Sequence, residues 1–376
     1  MNFDLSDDDT ALQDSVARWV QQRCPFDGRR RLSAQAPGFS REHWREMAQL
    51  GWLALPFDDA LGGLGGGPLA TTLLMEQLGR GLVLEPYLPS VLLFGGLMQR
   101  SAAMREAWVP KVIDGRVLGA LAWQERQGPD HLADVQTTLR PDGDGFRLDG
   151  DKVLVFNGAA AEQLIVSARS SGGRFDEAGL SLVRIDAGAE GVERTVLPLM
   201  DGQWVANLRL RGVHVAREQL LFAPGEGFAP LRDSVHAAML ALGAEALGIM
   251  QRLHETTLDY VKTRKQFGVP IGSFQVLQHR LVDMLMALEQ TRSLLYRAVC
   301  SAAEGSTEAE RDLLALKVMV GKAGRLIGGE AIQMHGGMGM TDELSVGHGM
   351  KRLMVIDASF GDADWHRRRF AELAET

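Results

Sequence analysis

The sequence predicts an α+β fold in which a helical amino-terminal domain, an all-β middle domain and a carboxy-terminal four-helix bundle follow one another. Apolar residues recur at helical spacing up to about Gly115 and again from about Pro230 onward. Between Val117 and about Phe222 they alternate with polar residues, which is the spacing of half-buried strands. Because the chain is too long for one comfortable core, we expect several packed domains. Their predicted bounds are residues 1–117, 118–225 and 226–376.

Local start and stop signals mark the helices of the amino-terminal domain. Ser40 is a predicted N-cap ahead of the apolar residues Trp44 and Met47, and Gly51 is the predicted stop. The glycine-rich run at residues 62–67 lacks the preceding strand that a dinucleotide-binding loop requires. We therefore interpret this run as a flexible turn before a helix.

The other two domains are predicted from turns and from apolar spacing. Turn pairs such as Asp142-Gly143 and Asp149-Gly150 separate the strands of the middle domain. In the bundle, apolar residues share one face of each of four long helices joined by short turns. The first of these helices runs to about residue 261, and the others are predicted at residues 277–295, 313–332 and 345–370.

Composition and charge argue against several classes of protein. The net charge of -8, with scattered cationic residues, argues against a nucleic-acid-binding surface. Cys24 and Cys300 are too few for a disulfide framework, which fits a reducing compartment. The histidines lack the spacing of metal ligands, and no apolar run reaches the length of a membrane span. We expect a soluble cytoplasmic protein that has no metal site and no integral membrane segment.

Two segments near the carboxy terminus carry the strongest functional signal. Residues 264–275 (RKQFGVPIGSFQ) join two predicted helices by a basic turn, and a cation with backbone N–H groups at a helix start binds phosphate well. Residues 333–341 (QMHGGMGMT) contain adjacent glycines that let the backbone approach a ligand closely. These segments, together with the order of the domains, resemble the acyl-CoA dehydrogenase family over essentially the whole chain.

The resemblance implies that a helical domain, a β-barrel-like domain and a four-helix bundle hold FAD. In that family the arginine turn and the glycine pair contact the FAD of a neighbouring subunit, so an oligomer is implied. The residues of this chain that the resemblance implies as FAD contacts are Trp123, Gln124, Phe156, Arg264, Phe267, Phe274, Gln275, Gln333, Gly336 and Gly337.

The resemblance also implies a redox reaction. In the family a carboxylate removes the α-proton of an acyl-CoA thioester while the flavin accepts a hydride from the β-carbon, which gives a trans-2-enoyl-CoA. An electron-transferring flavoprotein then receives the electrons. The expected partners are therefore an acyl-CoA, an electron-transferring flavoprotein and further subunits, in a homotetramer, a homodimer or a heteromer with a related subunit.

The two familiar positions of the catalytic glutamate hold other residues in this chain. Phe360 stands in the family's Glu-Gly-Thr step, and Ala238 stands at the alternative position on the first bundle helix. Glu245, two helical turns beyond Ala238, is the first candidate for the base, and its alternative role is a buried partner of an arginine. Asp362 is the second candidate, and its alternative role is a hydrogen bond to the cofactor or the bundle.

Three functions follow from these observations. The first is an FAD-dependent acyl-CoA dehydrogenase. The second is a catalytically silent FAD-binding or structural subunit of a heteromer, which Phe360 and Ala238 favour. The segment from Ser359 to His366 resembles the small subunits of bacterial pimeloyl-CoA dehydrogenases, which pair with a larger subunit. The third is a flavin-dependent oxidase in which Asp362 is the base.

Overall fold

The structure, a computed structural model, describes residues 5–128 and 130–375 of the chain. Within these residues, helices are followed by a sheet and then by a second set of longer helices, which confirms the predicted fold class. No helix in this described part is both long and apolar enough to cross a membrane. The α-helices are α1 (Asp7–Arg23), α2 (Phe26–Ser33), α3 (Arg41–Gln49), α4 (Gly67–Arg80), α5 (Gly96–Arg100), α6 (Arg105–Ile113), α7 (Phe228–Thr263), α8 (Gln275–Ala303), α9 (Ala309–His335), α10 (Ser345–Ala358) and α11 (Ala363–Glu375), and a π-helix (Tyr87–Gly95) precedes α5.

The chain divides into two compact units, each discontinuous in sequence. The helical unit comprises the chain up to Arg29, Pro68–Val83 and the chain from Met239 onward. The sheet unit comprises Arg30–Gly67 and Leu84–Ala238. Each unit therefore draws on more than one of the predicted domains, and the three domain bounds stay a prediction.

The first helices begin and end where the local signals predict. The Ser40 Oγ accepts a hydrogen bond from the His43 N–H at 3.2 Å, so Ser40 is the N-cap of α3. Gly51 follows α3 with a φ of 78°, in the left-handed region that ends a helix. Both predictions are confirmed.

Glycines allow α4 and α7 to pack closely within the helical unit. A Cβ on Gly79 would overlap the carbonyl of Glu245, and a Cβ on Gly248 would overlap the carbonyl of Glu76. Because each glycine faces the backbone of the opposite helix, no flexible side chain can move away to make room. This close packing buries Glu76 and Glu245 in the interior of the unit.

The sheet unit is built on one seven-stranded, mixed sheet. In space its strands run β1-β4-β2-β3-β7-β6, and β5 pairs with β4. Strand β1 pairs with β4 in parallel, whereas the β2–β3, β3–β7, β4–β5 and β6–β7 pairs are antiparallel. The strands are β1 (Gly119–Ala122), β2 (Thr138–Asp142), β3 (Gly145–Phe156), β4 (Gln163–Arg169), β5 (Leu180–Asp186), β6 (Val192–Pro198) and β7 (Trp204–Val215).

An irregularity in β3 interrupts its pairing with β7. Lys152 pairs with Leu208 and Val155 pairs with Ala206, so β3 holds an extra residue between these two pairs. Leu154 takes up the irregularity with a φ of 51°, and its side chain remains 41% exposed. The bulge therefore directs an apolar side chain outward at the segment where the resemblance predicts flavin contacts.

The fourth predicted bundle helix, residues 345–370, is wrong as one element, because it consists of two helices. Helix α10 ends at Ala358 and α11 begins at Ala363. Between them, Phe360 and Gly361 have φ values of 58° and 96°, which a right-handed helix cannot contain. Apolar spacing did not reveal this break, since it carries no information on the φ of a single bulky residue.

Lys317 on α9 secures the turn between α10 and α11. Its side chain is fully buried, and its Nζ donates to the carbonyl oxygens of Ile356, Asp357 and Ser359 at 2.9, 3.2 and 2.8 Å. The last carbonyls of a helix have no partner within that helix. Lys317 satisfies them with a cation, which also suits the negative end of the helix dipole.

Candidate functional site

A short hairpin after α7 carries the predicted arginine turn. Its strands are β8 (Lys265–Gln266) and β9 (Val269–Pro270), and Arg264 directly precedes it. Phe267 and Gly268 have φ values of 54° and 82°, so both central residues of the turn are left-handed. This conformation strains a phenylalanine, yet the Phe267 side chain is 92% exposed. Packing of the Phe267 side chain within the helical unit therefore does not explain its strained backbone conformation.

The other predicted residues around the hairpin are also exposed. The rings of Phe267 and Phe274 meet edge to face with centroids 6.3 Å apart, and Gln275 follows as the first residue of α8. The Arg264 guanidinium is exposed and makes no ion pair with the residues that the structure describes. An uncommitted guanidinium can offer a fork of donors to a phosphate.

The glycine pair lies beyond α9, and an aromatic stack joins it to the hairpin. The Tyr260 and His335 rings stack with centroids 4.3 Å apart, which links the last turns of α7 and α9. Gln333 is exposed on that turn of α9, and Gly336 and Gly337 follow it. A Cβ at either glycine would meet nothing within 4 Å, so the backbone is accessible from outside. Tyr260 is not predictable from the sequence, because a lone tyrosine has no local signal for a stacking role.

Trp123, Gln124 and Phe156 form the second predicted set, in the sheet unit. Trp123 is buried. Gln124, just after β1, and Phe156, the last residue of β3, are half-buried. The Gln124 carbonyl accepts a hydrogen bond from the Val153 N–H at 2.9 Å, and the Leu154 N–H donates to Asn207 Oδ1 at 3.0 Å. The segment after β1 is therefore hydrogen-bonded beside the bulge in β3.

A buried ion pair that the sequence did not predict supports this segment. The Lys152 Nζ is fully buried and donates to Glu125 Oε1 at 2.7 Å and to the Trp123 carbonyl at 3.2 Å. The Glu125 carboxylate also accepts from the Gln136 and Thr137 backbone N–H groups at 2.8 and 3.1 Å. Burial alone would raise the pKa of Glu125, but the Lys152 ammonium and hydrogen bonds from Lys152, Thr137 and Gln127 lower it to about 2. Through its contacts with Lys152, Gln136 and Thr137, the Glu125 carboxylate fixes the start and the end of one loop.

The first candidate for the base, Glu245, lies in a second buried ion pair. Arg352 on α10 donates from Nε and Nη2 to the two Glu245 oxygens at 2.6 and 2.8 Å. Both side chains are buried. A bidentate guanidinium occupies both carboxylate oxygens, so neither oxygen is available to another group unless the contact with Arg352 breaks. This geometry favours the structural one of the two roles predicted for Glu245, and the role of base stays a prediction.

The second candidate, Asp362, caps a helix with one of its oxygens. Asp362 Oδ1 accepts from the Trp365 N–H at 2.8 Å, so Asp362 is the N-cap of α11. Its side chain is half-buried, and Phe360, at the family's usual position of the base, is buried. Asp362 thus retains a second carboxylate oxygen for another contact.

Glu76 is a further buried carboxyl group, and it was not predicted as a site residue from the sequence. It lies on α4, and Arg292 Nη1 is 3.6 Å from its Oε1. Burial raises the pKa of Glu76, and the nearby Arg292 and Arg80 partly offset this effect. The Oε2 atom has no hydrogen-bond partner among the described residues. A local signal was absent, since its burial results from the close packing of α4 on α7.

The strained positions of the backbone coincide with the predicted cofactor segments. Five non-glycine residues of the described chain have positive φ, and three of them are Leu154, Phe267 and Phe360. Each lies in a segment that the family resemblance had singled out. Strain of this kind persists where the surroundings impose it, and it concentrates at ligand sites. Within the helical unit, the exposed Arg264 guanidinium, the strained Phe267 and the open backbone at Gly336 and Gly337 fit a bulky phosphate-bearing cofactor such as FAD.

Comparisons with known proteins identify the family. The model described as "Acyl-CoA dehydrogenase, N-terminal domain" matches residues 6–116, and the model described as "Acyl-CoA dehydrogenase, C-terminal domain" matches residues 225–374. The chain belongs to the acyl-CoA dehydrogenase family. The family resemblance inferred from the two carboxy-terminal segments is thus confirmed.

Relatives across nearly the whole length agree with this family. The L-prolyl-[peptidyl-carrier protein] dehydrogenase of Serratia sp. (strain ATCC 39006) is 29% identical over 361 residues, which cover 92% of this chain and 91% of the relative. The structure of the ChsE4-ChsE5 complex from Mycobacterium tuberculosis matches with a TM-score of 0.91 and 27% identity, and covers 100% of both chains.

A third comparison bears on the cofactor. The structure described as the FAD complex of PigA matches with a TM-score of 0.92 and 26% identity, and covers 100% of this chain and 99% of the other. FAD-bound relatives and family membership together identify FAD as the cofactor and the protein as an FAD-dependent oxidoreductase of this family.

Proposed function

We propose that the protein is an acyl thioester dehydrogenase that oxidises the Cα–Cβ bond of an acyl-CoA and passes electrons to an electron-transferring flavoprotein. The observation that carries the proposal is the strained backbone at Leu154, Phe267 and Phe360, which marks all three segments expected at the flavin. Bound FAD would supply a two-electron acceptor. Gln124 and Phe156 would border the ring of the FAD that a subunit binds. Arg264 would hold the diphosphate of the FAD bound to a neighbouring subunit, and the backbone at Gly336 and Gly337 would approach that same FAD closely.

Within this proposal, Asp362 is the better candidate for the base. Its N-cap contact occupies one oxygen, which leaves the other free to accept the α-proton of a thioester. Glu245 would have to break a bidentate contact with Arg352 before it could do the same. The ion pair between Glu245 and Arg352 would instead hold α7 and α10 together.

A second function, the catalytically silent subunit, is supported by a specific observation. Phe360 is 5% exposed and occupies the usual position of the base, and a phenyl ring cannot accept a proton. A similar structure is described as the complex of two chains, ChsE4 and ChsE5. In this case the protein would bind FAD or complete the pocket of a related subunit, and would not itself oxidise a thioester.

Anaerobic reduction of the bound flavin by a panel of acyl-CoAs tests the dehydrogenase, with Asp362→Asn and Glu245→Gln as the two variants. Asparagine is also a good N-cap, so Asp362→Asn retains the fold. We expect flavin reduction in Asp362→Asn to be at least about 100-fold slower than in the parent, which is the typical contribution of a general base. Glu245→Gln should reduce flavin at the parental rate.

The outcomes distinguish the competing assignments. If flavin reduction in Asp362→Asn is as fast as in the parent, Asp362 is not the base. If flavin reduction is instead slow in Glu245→Gln, Glu245 is the base. If no acyl-CoA reduces the flavin of the protein alone, but the protein together with a related subunit oxidises an acyl-CoA, the protein is the catalytically silent subunit. Hydrogen peroxide produced in air in a 1:1 ratio to the product would indicate the oxidase that Asp362 also permits.

A further inference from the structure

A cavity in the helical unit is lined by none of the residues predicted to contact the flavin or to act as the base. Its volume is about 520 Å³, which lies within the range of small-molecule sites. The helices α1, α2, α4, α7 and α10 all contribute to its wall, and every lining residue belongs to this one unit. The cavity is therefore formed by the packing of helices and not by a single loop.

The cationic side chains around the cavity are not balanced by acidic ones. Arg80 and Arg252 line it, and no described residue of the lining is acidic. Arg80 donates from Nη1 and Nη2 to the two oxygens of Glu255 at 3.2 and 2.8 Å, and Gln251 donates to Glu255 Oε1 at 3.1 Å. Arg252 is exposed and makes no ion pair within the described residues. One positive charge is therefore left at the cavity.

Gln77 on α4 brings a buried amide without a partner to the same cavity. The residue is 7% exposed and lines the cavity, and its side-chain amide makes no hydrogen bond to any residue that the structure describes. Buried polar groups are nearly always hydrogen-bonded, because an unpaired one has lost its contacts with water and gained none in exchange. The cavity offers the space in which a ligand can supply the missing partner.

The amino terminus of α10 adds backbone donors. Ser345, the first residue of α10, lines the cavity. The N-cap residue Leu344 provides no side-chain hydrogen bond, so the first N–H groups of the helix have no side-chain cap. Asp342, in the preceding turn, contacts His348 Nε2 at 2.9 Å. The positive end of the α10 dipole thus lies at the cavity together with the Arg252 charge.

Much of the remaining wall is apolar. Val20, Phe26, Leu82, Ile249 and Leu253 line it, and the last three of these are 9%, 1% and 4% exposed. Apolar walls favour the burial of hydrocarbon, whereas the cationic side of the cavity favours a negative charge. A ligand that satisfies both has an anionic group at one end and an apolar chain at the other.

We propose that this cavity is a ligand site that binds a small amphiphilic monocarboxylate. Arg252, the Gln77 amide and the first N–H groups of α10 hold the carboxylate, and the apolar wall holds its hydrocarbon chain. The single uncompensated positive charge matches a monoanion, which favours a carboxylate over a phosphate dianion. Binding at this site involves no flavin chemistry, so it goes beyond the proposed dehydrogenase and does not depend on it.

Calorimetric binding to the FAD-loaded protein tests the requirement for charge. The probes are octanoate and octan-1-ol, which have chains of the same length and differ in the head group. We expect the parent to bind octanoate at least about tenfold more tightly, as for a charge-assisted hydrogen bond. In Arg252→Ala this preference should fall below about twofold, and Arg252→Lys should restore part of it because lysine retains the charge.

Arg18→Ala is the matched control, since Arg18 is an exposed arginine of the same unit that does not line the cavity. It should bind both probes like the parent. Equal affinity of the parent for the two probes, or an unchanged preference in Arg252→Ala, would overturn the proposal. Tighter binding of inorganic phosphate than of octanoate would also overturn it.

The two cysteines report where octanoate binds. Cys24 lines the cavity and Cys300 on α8 does not, and neither is part of a disulfide. Saturating octanoate should slow the alkylation of Cys24 by iodoacetamide at least about fivefold and leave that of Cys300 unchanged, because the ligand excludes the reagent from the thiol. An equal rate at Cys24 with and without octanoate would place the ligand elsewhere and refute the assignment. A shift of the flavin absorption by octanoate that persists in Arg252→Ala would do the same.

Discussion

At the scale of single residues, His366 illustrates how burial sets the behaviour of a titratable group. Its Nε2 lies 2.9 Å from the Phe360 carbonyl, which indicates the tautomer with the proton on Nε2. Its Nδ1 has no partner among the residues described. Burial, and then the nearby Lys317 ammonium, lower the pKa of His366 to about 4. The neutral ring is therefore part of the turn that presents Phe360 and Asp362.

The depressed pKa of His366 predicts loss of stability in mild acid. The unfolded chain binds a proton on His366 near pH 6.5, but the folded chain binds it only near pH 4. The contribution of neutral His366 to the free energy of unfolding is therefore complete above pH 6.5 and is lost as the pH falls towards 4. The complete loss of this contribution lowers the free energy of unfolding by roughly 3 kcal/mol. Chemical denaturation at several pH values measures the free energy of unfolding as a function of pH. Between pH 4 and 6.5 this free energy should change less steeply with pH in His366→Gln than in the parent.

Other groups also titrate in this range, so the comparison needs a control of the same chemistry. His279→Gln removes an exposed histidine of the same helical unit and should leave the pH dependence of the free energy of unfolding unchanged. If the free energy of unfolding depends on pH equally in the parent and in His366→Gln, the assignment of this titration to His366 is wrong.

At the scale of elements, the contact between α4 and α7 depends on glycine. Gly79 and Gly248 each face the backbone of the opposite helix, and the helices could not approach so closely with larger residues. The same contact buries Glu76 and Glu245, and Glu245 then meets Arg352 from α10. Glycine spacing thus determines which carboxylates of the helical unit are withdrawn from water.

Gly79→Ala should therefore destabilise the protein by about 1–3 kcal/mol, the usual cost of an overpacked core. Its methyl group would overlap the Glu245 carbonyl and force the helices apart. Thermal and denaturant unfolding measure the change. Gly329→Ala on α9, where a Cβ meets nothing within 4 Å, should instead stabilise by about 0.5–1 kcal/mol. Equal stability of the two variants would contradict the close packing.

At the scale of the whole molecule, the helical unit presents several large apolar side chains to solvent. Val282 and Met286 lie four residues apart on α8, so they share one face of the helix, and they are 53% and 52% exposed. The exposed Phe274 and Gln275 lie at the start of the same helix. Exposed apolar patches of this kind mark interfaces, and this one adjoins the predicted FAD contacts. Exposed Val276, Met338 and Met340 belong to the same unit.

We predict that this surface joins the protein to a second copy or to a related subunit. The double variant Val282→Lys, Met286→Lys should have a lower mass by light scattering than the parent and should lose bound FAD, since part of the cofactor site would come from the neighbour. Leu50→Lys changes an exposed leucine of the sheet unit and should alter neither property. A parent that is a 41.0 kDa monomer with a full complement of FAD would refute the prediction.

The amino-acid sequence by itself determined the order of helices and strands, the N-cap at Ser40 and membership of the family. These features depend on spacing and on short motifs, which are local properties of the chain. The arginine turn and the glycine pair were recognisable for the same reason, since each is a contiguous run of residues.

Only the tertiary structure decided the environment of each carboxylate. Glu245 and Arg352 are 107 residues apart, and Glu125 and Lys152 are 27 apart, yet each pair is in direct contact. The break at Phe360 likewise depends on Lys317, which is 42 residues away from the Ser359 carbonyl that it binds. Whether a carboxylate is a base, a cap or half of an ion pair depends on partners brought together by folding, and periodicity in the sequence does not encode those distances.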